Sequence, residues 1–372
     1  MKIVFRVDAS NRIGTGHVMR CLTLADALRA LGATCSFICR THPGNLLHAI
    51  EKRGYETTAL QAGEDCEAGA LADGALAHAA WLGADWQTDA RQTLAAIGER
   101  QAAWLVVDHY AIDARWESAV RPACHALMAI DDLADRTHDC ELLLDQNWYG
   151  ASTPARYDRL VPETCEKRLG PRHALLRPEY ALLREWMPAH DGIVRRLLIF
   201  LGGSDPTNET AKVLDVLDHP AFDVLAADVV LGPNHPDPDG IARRVAGRPA
   251  TSFHQGLPSL AGMMARADLM IGAGGSTSWE RMCLGLPAIV ISIADNQTPT
   301  NLALMEEGYI DFLGEMGDVT VAHIAAALKR AMANPDALQL QSRKMQQLVS
   351  GTGAGEIAAT LLNRTLHNRP CH

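Results

Sequence analysis

A histidine directly follows two closely spaced glycines in Gly14-Thr15-Gly16-His17, and helical spacing resumes at Val18, Cys21, Leu22 and Ala25, with Arg20 in the first turn. A strand-like run over residues 3–7 precedes the loop and ends at Asp8. A Gly-x-Gly turn that opens a helix aims backbone N–H groups and the positive end of the helix dipole at a ligand. That setting favours the neutral imidazole, the form a general base needs. A histidine that merely caps the helix or fills the core has the same local sequence, so both readings stand at this point. The loop departs from the dinucleotide fingerprint, because Met19 stands where a third small residue is required.

A second strand-to-helix loop reads Ile271-Gly272-Ala273-Gly274-Gly275-Ser276-Thr277-Ser278-Trp279-Glu280. Gly274 and Gly275 permit close backbone approach, Ser276 and Thr277 add hydroxyls, and the helix start favours negative charge, which together suit a diphosphate. Glu280, one turn beyond Ser276, would accept from the two hydroxyls of a ribose. The bland alternative is a tight turn with a solvated glutamate. Gly202-Gly203-Ser204-Asp205 lines the same region or only caps a helix. Residues 104–108 deliver Asp108-His109-Tyr110 at a strand end, where Tyr110 donates to a substrate or anchors the core. Asp295-Asn296-Gln297 follows another strand, where Asn296 caps or orients a ligand. The acidic group Asp131, Asp132, Asp135, His138 and Asp139 lacks metal-ligand spacing, so no metal is expected. No GxxxxGK[ST] element occurs, and phosphoryl transfer loses its usual equipment.

Elements able to position these residues alternate along the chain. Strands are expected over residues 3–7, 35–39, 104–108, 127–130 and 142–145, separated by amphipathic stretches, which implies a parallel α/β sheet. A break at 186–192 reads as a linker. Beyond it, strands at 196–201, 223–231, 268–271 and 288–293 alternate with helices at 208–217, 257–266 and 276–284. The expectation is two Rossmann-like parallel-sheet domains facing across a cleft: 1–187 with the histidine loop, 193–350 with the nucleotide loop, and 351–372 as a C-terminal helix and tail. The alanine- and glycine-rich stretch at 60–85 reads as helical insertion or mobile loop.

Composition narrows the functional classes. The 372 residues carry a formal net charge of −10, which argues against nucleic-acid binding because phosphate tracks demand a basic face. Any anionic ligand must be held locally by amides and a few arginines. Nine scattered cysteines without a Cys-x-x-Cys pair suit reduced thiols. No apolar run reaches a membrane span, and Met1-Lys2 leads straight into the first strand, so a cytoplasmic protein is expected. Oligomeric state is left open.

Taken in order, the motifs from Asp8 through Gly14-Thr15-Gly16-His17 to Arg20, Trp81-Leu82-Gly83, Asp108-His109-Tyr110, Asp145-Gln146-Asn147, Gly202-Gly203-Ser204-Asp205, Gly274 to Glu280 and Asp295-Asn296-Gln297 carry a resemblance. The chain resembles the UDP-sugar hydrolases of pseudaminic acid biosynthesis, which are similar in fold to inverting MurG-type glycosyltransferases of the GT-B type. That resemblance implies metal-free conversion of UDP-2,4-diacetamido-2,4,6-trideoxy-β-L-altropyranose to free sugar and UDP, with no cofactor. It places the catalytic histidine on His17 and the active-site tyrosine and asparagine on Tyr110 and Asn296. It also implies substrate contacts at Gly14, Gly16, Arg20, Gly274, Gly275, Ser276, Thr277, Glu280 and Gln297. An inverting glycosyltransferase and a non-catalytic UDP-sugar sensor are the competing classes.

Overall fold

A computed structural model of the chain describes residues 1–61 and 76–367. Much of the stretch expected as an insertion at 60–85 therefore lies outside the described residues. By internal packing the chain divides into two units, one formed by residues 1–147, 152–176 and 352–372, the other by 148–151 and 177–351. The expected linker at 186–192 falls inside the second unit, after the helix that opens it.

The first unit contains β1 (Lys2–Val7), α1 (Gly16–Ala30), β2 (Thr34–Arg40), α2 (Leu47–Lys52), β3 (Glu56–Leu60), α3 (Trp86–Ile97) and β4 (Ala102–Asp108). It continues through α4 (Ala114–Val120), β5 (Cys124–Ile130), β6 (Leu142–Asp145) and β7 (Glu166–Leu169). All seven strands form one sheet in the order β3-β2-β1-β4-β5-β6-β7, and every pairing is parallel.

Parallel strands covered on both faces need apolar residues on both, and β1 supplies them. Ile3, Phe5 and Val7 join a core with α1, while Val4 joins the opposite core with Leu105, Val107 and Trp116. Phe5 stacks on Phe37 of β2 with ring centroids 4.8 Å apart.

The second unit comprises α5 (Pro178–Trp186), β8 (Arg196–Phe200), α6 (Glu209–Leu217), β9 (Ala226–Leu231), α7 (Pro238–Ala246), β10 (Thr251–Gln255) and α8 (Ala261–Arg266). It proceeds through β11 (Leu269–Ala273), α9 (Thr277–Leu284), β12 (Ala288–Ser292), α10 (Thr298–Glu306), β13 (Asp311–Glu315), α11 (Val321–Ala333) and α12 (Pro335–Leu348). The sheet order is β10-β9-β8-β11-β12-β13, again parallel throughout.

The last helix, α13 (Gly353–His367), belongs to the first unit. Its Ala354, Ile357, Ala358 and Leu361 share the core of Val18, Leu22 and Leu175. Trp104 of β4 donates from Nε1 to Leu361 O and to Thr365 Oγ1, both at 2.9 Å.

Each sheet has a point where the chain reverses the direction in which strands are added: between β1 and β4 in the first, between β8 and β11 in the second. Loops leaving the carboxyl ends of such strands diverge and open a crevice, the usual ligand position in parallel α/β sheets. The loop of His17 and the residue Asp108 flank the first point. Gly202-Gly203 and Gly274-Gly275 flank the second. No described helix is long and apolar enough to cross a membrane.

Candidate active site

In the first unit, Ser10 shapes the loop after β1. Its Oγ accepts from the backbone N–H of Arg12 (3.1 Å) and Ile13 (2.9 Å), and its carbonyl accepts from Gly14 N at 2.8 Å. Gly14 has φ +81°, a conformation that favours glycine, whereas a side chain at Gly16 would meet open space. Helix α1 begins at Gly16 without a side-chain cap from Thr15, so its first N–H groups have no side-chain partner from that residue.

His17 turns inward and places Nδ1 2.5 Å from Oδ1 of Asp108. Asp108 is fully buried at the end of β4, level with Val7 of β1. Arg20 donates to it twice, from Nε and Nη2, each at 2.6 Å. Burial alone would raise the Asp108 pKa, but Arg20 and His17 hold it well below the ordinary carboxylate range. A carboxylate facing Nδ1 selects the tautomer protonated there, which leaves Nε2 to accept a proton. Nε2 has no hydrogen-bond partner among the described residues.

Arg20 reaches a second carboxylate with Nη1, donating to both oxygens of Asp132 at 3.0 and 2.8 Å. Tyr110 Oη donates to Asp132 Oδ2 at 2.7 Å, and Asn147 Nδ2 donates to Oδ1 at 2.9 Å. The Tyr110 ring packs edge-on against His17 with centroids 4.6 Å apart. His78 and Trp81 pack against Tyr110 at 5.5 and 5.9 Å. Burial, then Asp132, pushes the Tyr110 hydroxyl well above its usual pKa. His109, between the two functional residues of its motif, is buried and directs Nε2 to within 3.4 Å of Asp8.

The structure thus gathers His17, Arg20 and Tyr110 into one cluster and adds Asp108, Asp132 and Asn147, to which the sequence assigned no role. The rest of the acidic group Asp131–Asp139 does not converge on a cation site. Asp131 and Asp135 pair with Arg136, Asp139 pairs with Arg121, and His138 faces Glu117.

In the second unit, Gly274 is required by close approach, since a Cβ there would lie 2.0 Å from Nδ2 of the buried Asn301. Asn301 in turn donates to Ser292 Oγ at 2.9 Å. Gln297 accepts from Ile293 N at 3.1 Å through Oε1, and its Nε2 would lie 3.5 Å from a Cβ at Gly275. Gly274 therefore packs against Asn301 and Gly275 lies beside Gln297, and Ser276 and Thr277 open α9. Ser276 makes no side-chain cap, so the first amides of α9 have no side-chain partner from it. Glu280, partly buried on the same helix, has its pKa pushed up to about 7 by burial, against the opposing effect of Arg177 and Tyr180. Asn296 is exposed in the loop before α10, with no hydrogen bond to a described residue.

Two doubly wound parallel sheets of this kind define the GT-B fold. The chain superposes on the crystal structure of Acinetobacter baumannii MurG with a TM-score of 0.65 at 13% identity, over 97% of this chain and 99% of that one. No known protein-family profile matches the chain. Among curated proteins it is 30% identical over 194 residues to the spore coat polysaccharide biosynthesis protein SpsG of Bacillus subtilis, covering 52% of this chain and 57% of the relative. It is 26% identical over 219 residues to the UDP-2,4-diacetamido-2,4,6-trideoxy-β-L-altropyranose hydrolase of Campylobacter jejuni, covering 58% of this chain and 66% of that protein. These matches span less than two thirds of either relative's length. The resemblance read from the motifs, to the pseudaminic-acid UDP-sugar hydrolases and their MurG-like structural relatives, is the one these similarities support.

Proposed function

We propose that the chain hydrolyses a UDP-activated amino-deoxy sugar at the anomeric C–O bond, releasing UDP and the free sugar for surface-glycan biosynthesis. The observation that carries this reading is the His17–Asp108 pair at 2.5 Å, which leaves Nε2 of His17 as a general base at the start of α1. The Gly274–Thr277 turn and the start of α9 supply amides for the diphosphate, and Glu280 takes the ribose hydroxyls. UDP is a good leaving group once its charge is met, so no acid and no metal are required. Water attacks the carbon opposite the leaving oxygen, its proton passes to His17, and the sugar inverts. Tyr110 and Arg20 are assigned to the reacting end of the substrate, with His17.

Support for the substrate class comes from the Campylobacter jejuni relative, whose name states UDP-2,4-diacetamido-2,4,6-trideoxy-β-L-altropyranose, and support for the setting comes from the polysaccharide-biosynthesis relative. The test is reaction with that nucleotide sugar in heavy-oxygen water. Label on the anomeric hydroxyl, unlabelled UDP and the inverted anomer first are expected; label in the nucleotide or early retention would overturn the mechanism. The MurG-like fold favours one second reading, an inverting glycosyltransferase. UDP release that occurs only when a sugar or lipid acceptor is added would establish that alternative.

A further inference from the structure

Asp132 is the hub of the first-unit cluster, and its chemistry constrains Tyr110. Arg20, Tyr110 and Asn147 all direct donors at it. A carboxylate ion-paired to a guanidinium has no hydrogen to give, so in the 2.7 Å contact the phenol must be the donor. A phenol has one hydrogen. With that hydrogen committed to Asp132, Tyr110 Oη meets any ligand with lone pairs alone, contrary to the donor role its sequence position suggested.

His17 is constrained in the same sense. Its Nδ1 hydrogen is committed to Asp108, and Nε2 is an acceptor. The planar fork of Arg20 links both arrangements, holding Asp108 with Nε and Nη2 and Asp132 with Nη1. The two rings meet edge to face with centroids 4.6 Å apart, so the two side chains are in direct contact.

We propose that Asp132 is a positioning residue that makes Tyr110 a hydrogen-bond acceptor for the attacking water. Tyr110 Oη and His17 Nε2 then take one hydrogen each, and the oxygen lone pair is aimed at the anomeric carbon. The inference rests on the hydrolytic reading above. In the step itself the water oxygen bonds to carbon, and the electron pair of the broken C–O bond leaves with UDP. The water proton facing His17 moves to Nε2, and the proton between Tyr110 and Asp132 stays where it is. Aiming of this kind acts on the reacting geometry and not on ground-state binding, so its loss falls on kcat.

The groups facing Tyr110 are Asp132, Arg20, Asp108, His17 and His78, with Trp81 stacked over the ring. Burial, and after it Asp132, pushes the Tyr110 hydroxyl well above its usual pKa, and the part due to Asp132 can be read without any turnover.

The experiment compares Asp132→Asn, Tyr110→Phe and the double variant for UDP release from UDP-2,4-diacetamido-2,4,6-trideoxy-β-L-altropyranose, with His17→Asn alongside. Asp132→Asn is expected to lower kcat on the order of 10²-fold with KM and melting temperature near those of the parent. The double variant should be no worse than the poorer single, since both changes remove one function. Parental kcat in Asp132→Asn, additive losses, or a loss explained by a fallen melting temperature would overturn the proposal. UDP release by the parent protein that requires an added acceptor would instead overturn the hydrolytic reading. Full turnover in His17→Asn would overturn His17 as the base, while a dead His17→Asn beside a fully active Asp132→Asn would remove only the role of Asp132. Independently of activity, the Tyr110 phenolate band, taken as the difference from the matching Tyr110→Phe protein, should appear at lower pH in Asp132→Asn. An unchanged phenolate titration would also count against the proposal.

Discussion

The two units present ligands with different materials. In the first, charged side chains drawn from distant parts of the chain fix one another: His17 on Asp108, Asp108 and Asp132 on Arg20, Tyr110 on Asp132. In the second, the backbone does the shaping, with Gly274 closed against Asn301 and Gly275 beside Gln297. A network of ionised groups can hold and move a proton, whereas a turn of free amides recognises an anion without changing its protonation. In the function proposed above, this difference corresponds to chemistry in the first unit and nucleotide recognition in the second.

The sharpest way to break that assignment is to damage each side and see which constant moves. His17→Asn should cut turnover by about 10²–10⁴-fold while leaving UDP affinity nearly intact, because a base acts only in the transition state. Single-turnover kinetics with a parallel UDP titration checks it, and parental turnover would reduce His17 to a helix-start residue.

On the other side, Glu280→Ala should weaken UDP binding by about 1.5–3 kcal/mol if the ribose contact is charge-assisted, as read by calorimetric titration. Glu280 also gives the second unit a pH signature. Its pKa in the folded chain is raised to about 7, so the group is neutral below that pH and charged above it. A carboxylate accepts from hydroxyls better than a carboxylic acid does, so UDP affinity should climb as pH rises through about 7. For the unliganded chain the sign is opposite. A raised carboxyl pKa means the folded state favours the proton, so the stability from this group is present at low pH and lost as pH rises toward about 7. Glu280→Gln should flatten the stability curve and leave UDP affinity with only the dependence that the ligand's own terminal phosphate contributes; a UDP affinity profile identical to the parent's would clear Glu280 of the role.

Gly274→Ala should destabilise the second unit by about 1–3 kcal/mol, the usual range for forcing a methyl into a closed contact. It should also weaken UDP binding, as denaturant melts and titration would record. Unaltered UDP affinity would remove the turn from the clamp. The smallest effect expected is none at all: activity should survive EDTA, and loss with rescue by a divalent ion would reopen the division of labour.

How far the sequence disclosed this arrangement depended on burial. The central strands were legible because parallel strands covered on both faces are continuous apolar runs, as in Leu197, Leu198 and Ile199. Four strands escaped notice: β3, β7, β10 and β13, the outermost strand on each side of each sheet. Edge strands are only partly covered, and Glu166-Lys167-Arg168-Leu169 or Thr251-Ser252-Phe253-His254-Gln255 carry no apolar run to betray them. The helix expected from residue 257 starts only at Ala261, beyond Pro258.

In the site, glycine spacing located both loops, because a turn that opens a helix is a local pattern. The partners of His17 and Arg20 are not local. Asp108 lies 91 positions from His17, and Asp132 lies 112 from Arg20. Only the parallel pairing of β1 with β4 brings the former within reach. The available signal was a carboxylate ending a buried strand, Trp104-Leu105-Val106-Val107-Asp108, which is costly unless something pairs with it.

The return of α13 to the first unit gives the molecule a folding order. The strand that carries Asp108 is fastened through Trp104 to Leu361 and Thr365, residues synthesised 257 and 261 positions later. On a ribosome that extends the chain from its N-terminus, the second unit is complete before the first has its last helix. The first unit must therefore wait, with the apolar face of α1 around Val18 and Leu22 uncovered, until α13 arrives. The unit that carries His17, Asp108 and Tyr110 is thus the last to be completed. A chain interrupted before Thr352 would hold a complete second unit and a first unit with an unsealed core, a species inclined to aggregate.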